Sequence, residues 1–139
     1  MGGYQQLKDI EIYVLSRRLA ERVWKAVEGW DYFAKKTVGE QLVRAVDSIS
    51  ANIAESYGRH HIGDVARFLY YARGSLYETQ DWLSKAIQRG LLPKNLGHEL
   101  LDEVKVIAPK LNAYISGKYR YTKTIQPPNN PTTKLERRP

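Results

Sequence analysis

Leu42-Val-Arg-Ala-Val-Asp-Ser-Ile-Ser-Ala-Asn-Ile-Ala-Glu-Ser-Tyr-Gly-Arg59 carries two interleaved patterns at helical spacing. Leu42, Ala45, Val46, Ile49 and Ile53 recur every three or four residues and define one apolar face of a helix. Arg44, Ser48, Asn52 and Glu55 recur in the same way beside it. A solvated helix face normally carries Lys and Glu. This stripe instead offers a guanidinium fork, a hydroxyl, an amide and a carboxylate, a set suited to a hydrogen-bonded network. Helices packing on helices around a defined polar seam are the architecture it implies.

The flanking sequence repeats the apolar pattern three more times. Helix 1 is expected from Gln6 or Asp9 to Glu28, with Ile12, Leu15, Leu19, Val23, Ala26 and Trp30 inward. Tyr13, Trp24 and Val27 widen its stripe. Asp31–Lys36 reads as a connection, and Thr37 as an N-cap with Glu40 as its capping-box partner. Helix 2 then spans Val38–Tyr57 and stops at Gly58, read as a left-handed C′ residue. Helix 3 begins between Ile62 and Asp64, with Asp64 as a possible cap, and ends at Gly90. Its inward line is Val65, Phe68, Leu69, Ala72, Leu76, Thr79, Leu83 and Ala86.

After the Leu91-Leu92-Pro93 turn, helix 4 spans Asn95–Ser116 and Gly117 closes it. Leu100, Val104, Ile107, Leu111 and Tyr114 face inward, and Pro109 removes one backbone donor and bends the helix. No segment alternates with period two for long enough to form a sheet. The fold class is therefore all-α, an antiparallel up-down four-helix bundle over residues 1–117. Residues 118–139 form a tail rich in Pro, Asn and Thr, expected to be disordered, with Tyr119 and Tyr121 packing on the end of helix 4.

A chain of 139 residues suffices for one core without staples, and it contains no cysteine, so disulfides and thiolate metal sites are excluded. No apolar run is long enough to span a membrane, and no signal-peptide pattern opens the chain. A cytoplasmic protein is the default expectation. The net charge of +7 is concentrated in the tail: Lys118, Arg120, Lys123, Lys134, Arg137 and Arg138 face Glu136 alone. Clustered positive charge attracts polyanions without sequence choice. Arg17, Arg18, Arg22 and Lys25 on helix 1 are the other candidates for contact with RNA or DNA. Of the 10 tyrosines, Tyr70, Tyr71 and Tyr77 are assigned to core or interfaces.

Catalytic and metal chemistry find little support. His60 and His61 are adjacent and would diverge on a helix, and only His98 remains to help them. Ser48, Ser50 and Ser75 have no histidine a helical turn away to act as base. Neither a cofactor nor a metal is expected. Arg73-Gly74-Ser75 stands out instead, because Gly inside a strong helix marks close approach of another backbone. Glu78 follows one turn later, so Arg44, Asn52, Glu55, Arg73 and Glu78 are expected to form a buried or half-buried network tying helices 2 and 3.

Two of these stretches carry a family likeness. Arg44-Ala45-Val46-Asp47-Ser48-Ile49-Ser50-Ala51-Asn52-Ile53-Ala54-Glu55-Ser56, then Gly58-Arg59, matches a helix-2 signature. Phe68-Leu69 through Ala72, Gly74-Ser75 and Glu78 match a helix-3 signature in the right order and spacing. Residues 5–117 thus resemble the four-helix-bundle proteins named for 23S rRNA intervening sequences. Ser56 stands where that family usually has Gly, and Pro109 and the basic tail are further departures. The resemblance implies a ring, typically a homopentamer, without enzymatic activity. It also implies the fold of the accessory variability proteins of diversity-generating retroelements, which bind a reverse transcriptase and RNA. The function expected is a ring-forming protein that binds nucleic acid, RNA foremost, through its basic surface and tail. A reverse-transcriptase adaptor and a purely structural oligomer are the alternatives.

Overall fold

The computed structural model describes the backbone of residues 5–125 and the side chains of residues 5–118. A 3-10 turn, Leu7–Asp9, leads into α1 (Glu11–Glu28). A helical turn, Tyr32–Ala34, and a π-helical turn, Lys35–Gly39, run into α2 (Glu40–Tyr57). After a short turn come α3 (Ile62–Gln88) and α4 (Lys94–Ile125). The described residues contain no strand.

Neighbouring helices run antiparallel. Lys110 of α4 pairs with Glu11 at the start of α1, and Arg22 further along α1 pairs with Glu103 and Glu99. The four residues between α2 and α3 leave two long packed helices no other course than to double back. Arg73 of α3 reaches Asn112 of α4 at 3.3 Å, which places α4 antiparallel to α3. α2 packs on α1 and α3, and α4 on α3 and α1, so α1 and α3 stand diagonally across the bundle. One end of the bundle therefore holds the start of α1, the α2–α3 turn and the middle of α4. The opposite end holds the α1–α2 connection and the start of α4.

The apolar stripes meet in one core. Leu19, Val23, Leu42, Val46, Ile49, Ile53, Leu69, Leu76, Leu83, Leu100, Ile107 and Leu111 are buried there, as the spacing predicts. Val65, Phe68 and Tyr114 from the expected inward lines are only partly buried. Tyr70, Tyr71 and Tyr77 are not core residues, being 38%, 53% and 54% exposed.

Several termini differ from the expected ones. Asp31, not Thr37, caps the helical segment before α2: its carboxylate accepts from the Ala34 amide at 2.9 Å. Thr37 instead donates its hydroxyl to the Phe33 carbonyl at 2.8 Å, inside an already helical segment. An Asx cap six residues upstream removed the need for a second start. Gly58 ends α2 in a right-handed conformation, φ −83°, with its amide on the Ala54 and Glu55 carbonyls. The left-handed C′ position belongs to Gly90, φ +72°, where the Leu91 amide bonds back to Ala86. Asp64 lies within the first turn of α3, paired with Arg67, and does not cap it. Gly117 does not close α4, which continues to Ile125; one glycine within a long helix is a modest cost. Residues 118–125, expected to belong to a disordered tail, continue α4 as helix; the side chains of Tyr119 and Tyr121, and the rest of that expectation at residues 126–139, lie outside the described residues.

Two positions give direct tests of the packing. A Cβ at Gly39 would sit 2.8 Å from Val27 Cγ1 and 3.2 Å from the Ala34 carbonyl oxygen, so α1 and the π-turn approach as closely as glycine allows. Gly39→Ala is expected to destabilise by about 1–3 kcal/mol in urea unfolding. Ser16 is fully buried with no hydrogen-bond partner for its hydroxyl among the described residues. Ser16→Ala should raise stability by about 1 kcal/mol in the same measurement.

Candidate functional site

The polar stripe of α2 does not cross to α3. Arg44 pairs with Glu40 one turn before it at 3.4 Å, and its side chain is 71% exposed. The Asn52 amide donates to the Ser48 carbonyl at 2.8 Å and to the Ser48 hydroxyl at 3.2 Å. Glu55 pairs with Arg59, and Glu78 accepts from the Trp82 indole at 3.4 Å. Arg73 turns to Asn112 and lies over the Tyr70 ring, 4.6 Å from its centroid. Among the described residues the expected network between α2 and α3 is thus absent. Arg73 apart, partners one turn away satisfy these groups without the desolvation that a buried pair demands. Ser75 offers its carbonyl to Thr79 at 2.7 Å, and Gly74 has no neighbour close to where a Cβ would stand.

The cations of α1 divide between two sides. Arg22 is neutralised by Glu103 and Glu99 of α4, which removes it from the candidates for phosphate contact. Arg18 lies on that same side, in a cleft with Asp102 and Glu103. Lys25 is exposed. Arg17 points the other way: it donates to the Tyr13 hydroxyl at 3.4 Å and lies over that ring. Residues 17 and 18 differ by about 100° around the helix, so adjacency in sequence separates them in space.

Arg17 belongs to a constellation that the sequence did not announce. Gln6, Leu7, Lys8, Tyr13, Arg17 and Tyr57 line an open cleft of about 550 Å³. Across Tyr57 a second cleft of about 280 Å³ is lined by Gln5, Ile10, Ser56, Arg59, Ile62, Val65, Tyr114 and Lys118. Neither lining contains a carboxylate. The Tyr57 hydroxyl donates to the Gln5 carbonyl at 3.1 Å and fixes the partition between the two. Arg59 lies over Phe68, 4.7 Å from the ring centroid, and Lys118 over Tyr114 at 5.0 Å. Cation–π contacts hold these heads over ring faces at the cleft walls, where Arg59 also pairs with Glu55. α4 leaves the bundle at this end and carries Arg120 and Lys123 onward. The side chains of those two, with Lys134, Arg137 and Arg138, lie outside the described residues.

A third feature lies at the opposite half of the molecule. α1, the π-turn and α2 enclose an open groove of about 830 Å³ with Trp24, Val27, Tyr32, Val43 and Ala51 on its walls. Its rim mixes Lys35, Lys36 and Arg44 with Glu28, Glu40 and Asp47. Trp24 is 53% exposed and Tyr32 75%. Desolvation by the walls, with Glu21 nearby, raises the Asp47 pKa above its ordinary carboxylate value.

Among the described residues no serine hydroxyl is hydrogen-bonded to a histidine, and no three metal-ligating side chains converge. No helix there is long and apolar enough to cross a membrane.

The sequence pattern of the 23S rRNA-intervening sequence proteins matches residues 8–113, and the chain belongs to that family. A solved structure from Bacteroides thetaiotaomicron, a protein of unknown function from the S23 ribosomal protein family, superposes with a TM-score of 0.67. It is 21% identical, and the alignment covers 75% of this chain and 97% of that one, a likeness of fold. Comparison with curated proteins returned no match.

The groove carboxylate supplies a pH test. Because the folded chain holds the Asp47 proton more tightly than the unfolded chain, with its ordinary value of 3.8, this group favours the fold at low pH. That contribution is lost as pH rises through the raised value. In the dissociated single chain, Asp47→Asn should therefore melt above the parent at pH 7, with the gap closing as pH falls below about 4. A gap of equal size at both pH values contradicts this account of the groove.

Proposed function

We propose that this chain, as a member of the 23S rRNA-intervening sequence protein family, binds single-stranded RNA in two clefts at one end of its bundle whose linings hold no carboxylate. It does so without catalysis, as one unit of a homo-oligomer. The observation that carries the reading is the pair of clefts divided by Tyr57. Cations and aromatic rings line them, no acid does, and α4 extends past them carrying further positive charge. Lys8, Arg17, Arg59 and Lys118 supply donors to phosphate oxygens, and Tyr13, Tyr57 and Tyr114 supply faces on which an unpaired base can stack.

Duplex RNA fits less well, because its bases are already stacked and its edges turned inward. Affinity from such contacts is mostly counterion release, strong at low salt and weakly selective for sequence. The reading also accounts for the α4 side of α1, where Arg18 and Arg22 sit among Asp102, Glu99 and Glu103 and repel a polyanion as much as they attract one. Self-association belongs to the same reading. It is supported by apolar groups left open on the sides of the bundle, Trp24 and Tyr32 on one and Tyr71 and Tyr77 on another.

Fluorescence anisotropy with a labelled single-stranded RNA across salt concentrations tests the site. Arg17→Gln is expected to weaken binding and to reduce the slope of log affinity against log salt by about 0.7, one phosphate contact. Arg22→Gln should leave both unchanged. Equal effects from the two variants, or salt-independent binding, would remove the clefts from consideration. Deleting residues 126–139 should lower the slope further, since Lys134, Arg137 and Arg138 go with them.

A further inference from the structure

Gly74 occupies the middle of α3 on an exposed face, and a Cβ built there meets nothing within 4 Å. Glycine is the poorest non-proline residue for a helix interior. Nothing among the described residues calls for one at this position. Tyr70, Tyr71 and Tyr77 stand four and three residues before it and three after, so they border the notch, and all are exposed. The result is an aromatic ridge with a gap at its centre, shaped for close approach by something outside this chain.

The α1–α2 groove is the complementary feature. Its walls are apolar, it is open, and Trp24 and Tyr32 on them are more than half exposed. α1 and α3 are diagonal in the bundle, so ridge and groove of one chain cannot meet each other.

We infer that the α3 ridge around Gly74 docks into the α1–α2 groove of a second copy of this chain, head to tail, with the two bundles pointing the same way. This rests on the homo-oligomer reading above and assigns its faces. Each chain carries both halves of the contact on different sides, which is the requirement for a heterologous interface that can repeat around a ring.

Level and charge support the pairing. α2 and α3 double back at one turn, and Tyr70 is eight residues beyond it on α3 as Ile49 is eight residues before it on α2. Ridge and groove therefore stand at the same height along the bundle. At that height Arg73 comes level with Asp47, and Asp81, further along α3, comes near the level of Lys35 and Lys36. Opposite charges thus face one another when neighbouring bundles are parallel. Turning one copy end for end would bring Arg67 toward Lys35 and Lys36, and Asp81 toward Asp47. Asp47, already desolvated and close to Glu21, gains from an incoming cation.

The absence of cysteine makes the test direct. Tyr77→Cys and Val43→Cys variants are purified separately, mixed, and treated with a short bis-maleimide. The expected product is a dimer containing one of each variant, formed in high yield on mixing and scarce with either variant alone. A Val43→Cys dimer formed alone would indicate groove against groove and overturn the assignment. In parallel, native mass spectrometry of Gly74→Gln, whose side chain fills the notch, should show monomer with helical circular dichroism retained. If the full chain is a discrete oligomer but Gly74→Gln leaves it intact and the mixed dimer is missing, the face assignment fails and self-association stands. If the full chain is monomeric at micromolar concentration, both fail. Should Tyr70→Ala with Tyr77→Ala abolish RNA binding while leaving the oligomer whole, the ridge is a nucleic-acid surface and the proposal is wrong.

Discussion

Burial of four apolar stripes against one another decides which side of every helix is left over for recognition. Leu19, Leu42, Ile49, Leu69, Leu76, Leu83, Leu100 and Leu111 are almost wholly removed from solvent, and truncating any one of them to alanine would cost about 2–5 kcal/mol. No such helix can rotate about its axis without exposing that stripe. The angular position of Arg17, Arg18, Trp24, Asp47, Gly74 and Tyr77 follows from it. Surface chemistry here is a consequence of the core.

The same constraint explains what the sequence made legible. Period-three and period-four apolar residues located all four helices and most of their buried positions. They could not show that Asp31 would start the helical segment ahead of Thr37, because both residues have capping chemistry and only local geometry chooses between them. They did not reveal the π-turn, which lets Gly39 approach Val27. Gly117 resembled a terminator, yet a glycine stops a helix only where the chain beyond it has a better alternative. The polar seam between α2 and α3 failed for an energetic reason: Arg44 and Glu55 each found an opposite charge one turn along their own helix, at the surface, where ionic groups keep much of their hydration.

The charge distribution was the least legible part. Arg17, Arg18 and Arg22 look equivalent in a linear string, but α4 supplies Glu99, Asp102 and Glu103 to one side of α1 only. What distinguishes Arg17 is therefore long-range packing. Lys8 and Tyr57, and Tyr13 and Tyr114, which read as packing positions of helices 1 and 4, could not be recognised as one site for the same reason, since they come from three helices and a turn that meet only after folding. A hint was available in Tyr57-Gly58-Arg59, an aromatic and a cation held at a turn. Sorted in space, the charges leave two clefts at one end of the bundle lined by cations without acids, and the groove mixed. The two recognition surfaces are then separate: an end that attracts a polyanion, and sides suited to a neighbour of the same kind.

Photochemical cross-linking of a single-stranded RNA to the full chain, with the attachment sites mapped by mass spectrometry, tests this separation most directly. The account predicts attachment at Tyr13, Tyr57 or Tyr114, on the clefts without carboxylates. Attachment confined to Trp24 and Tyr32 in the groove, or none at salt concentrations where the RNA is bound, would contradict it.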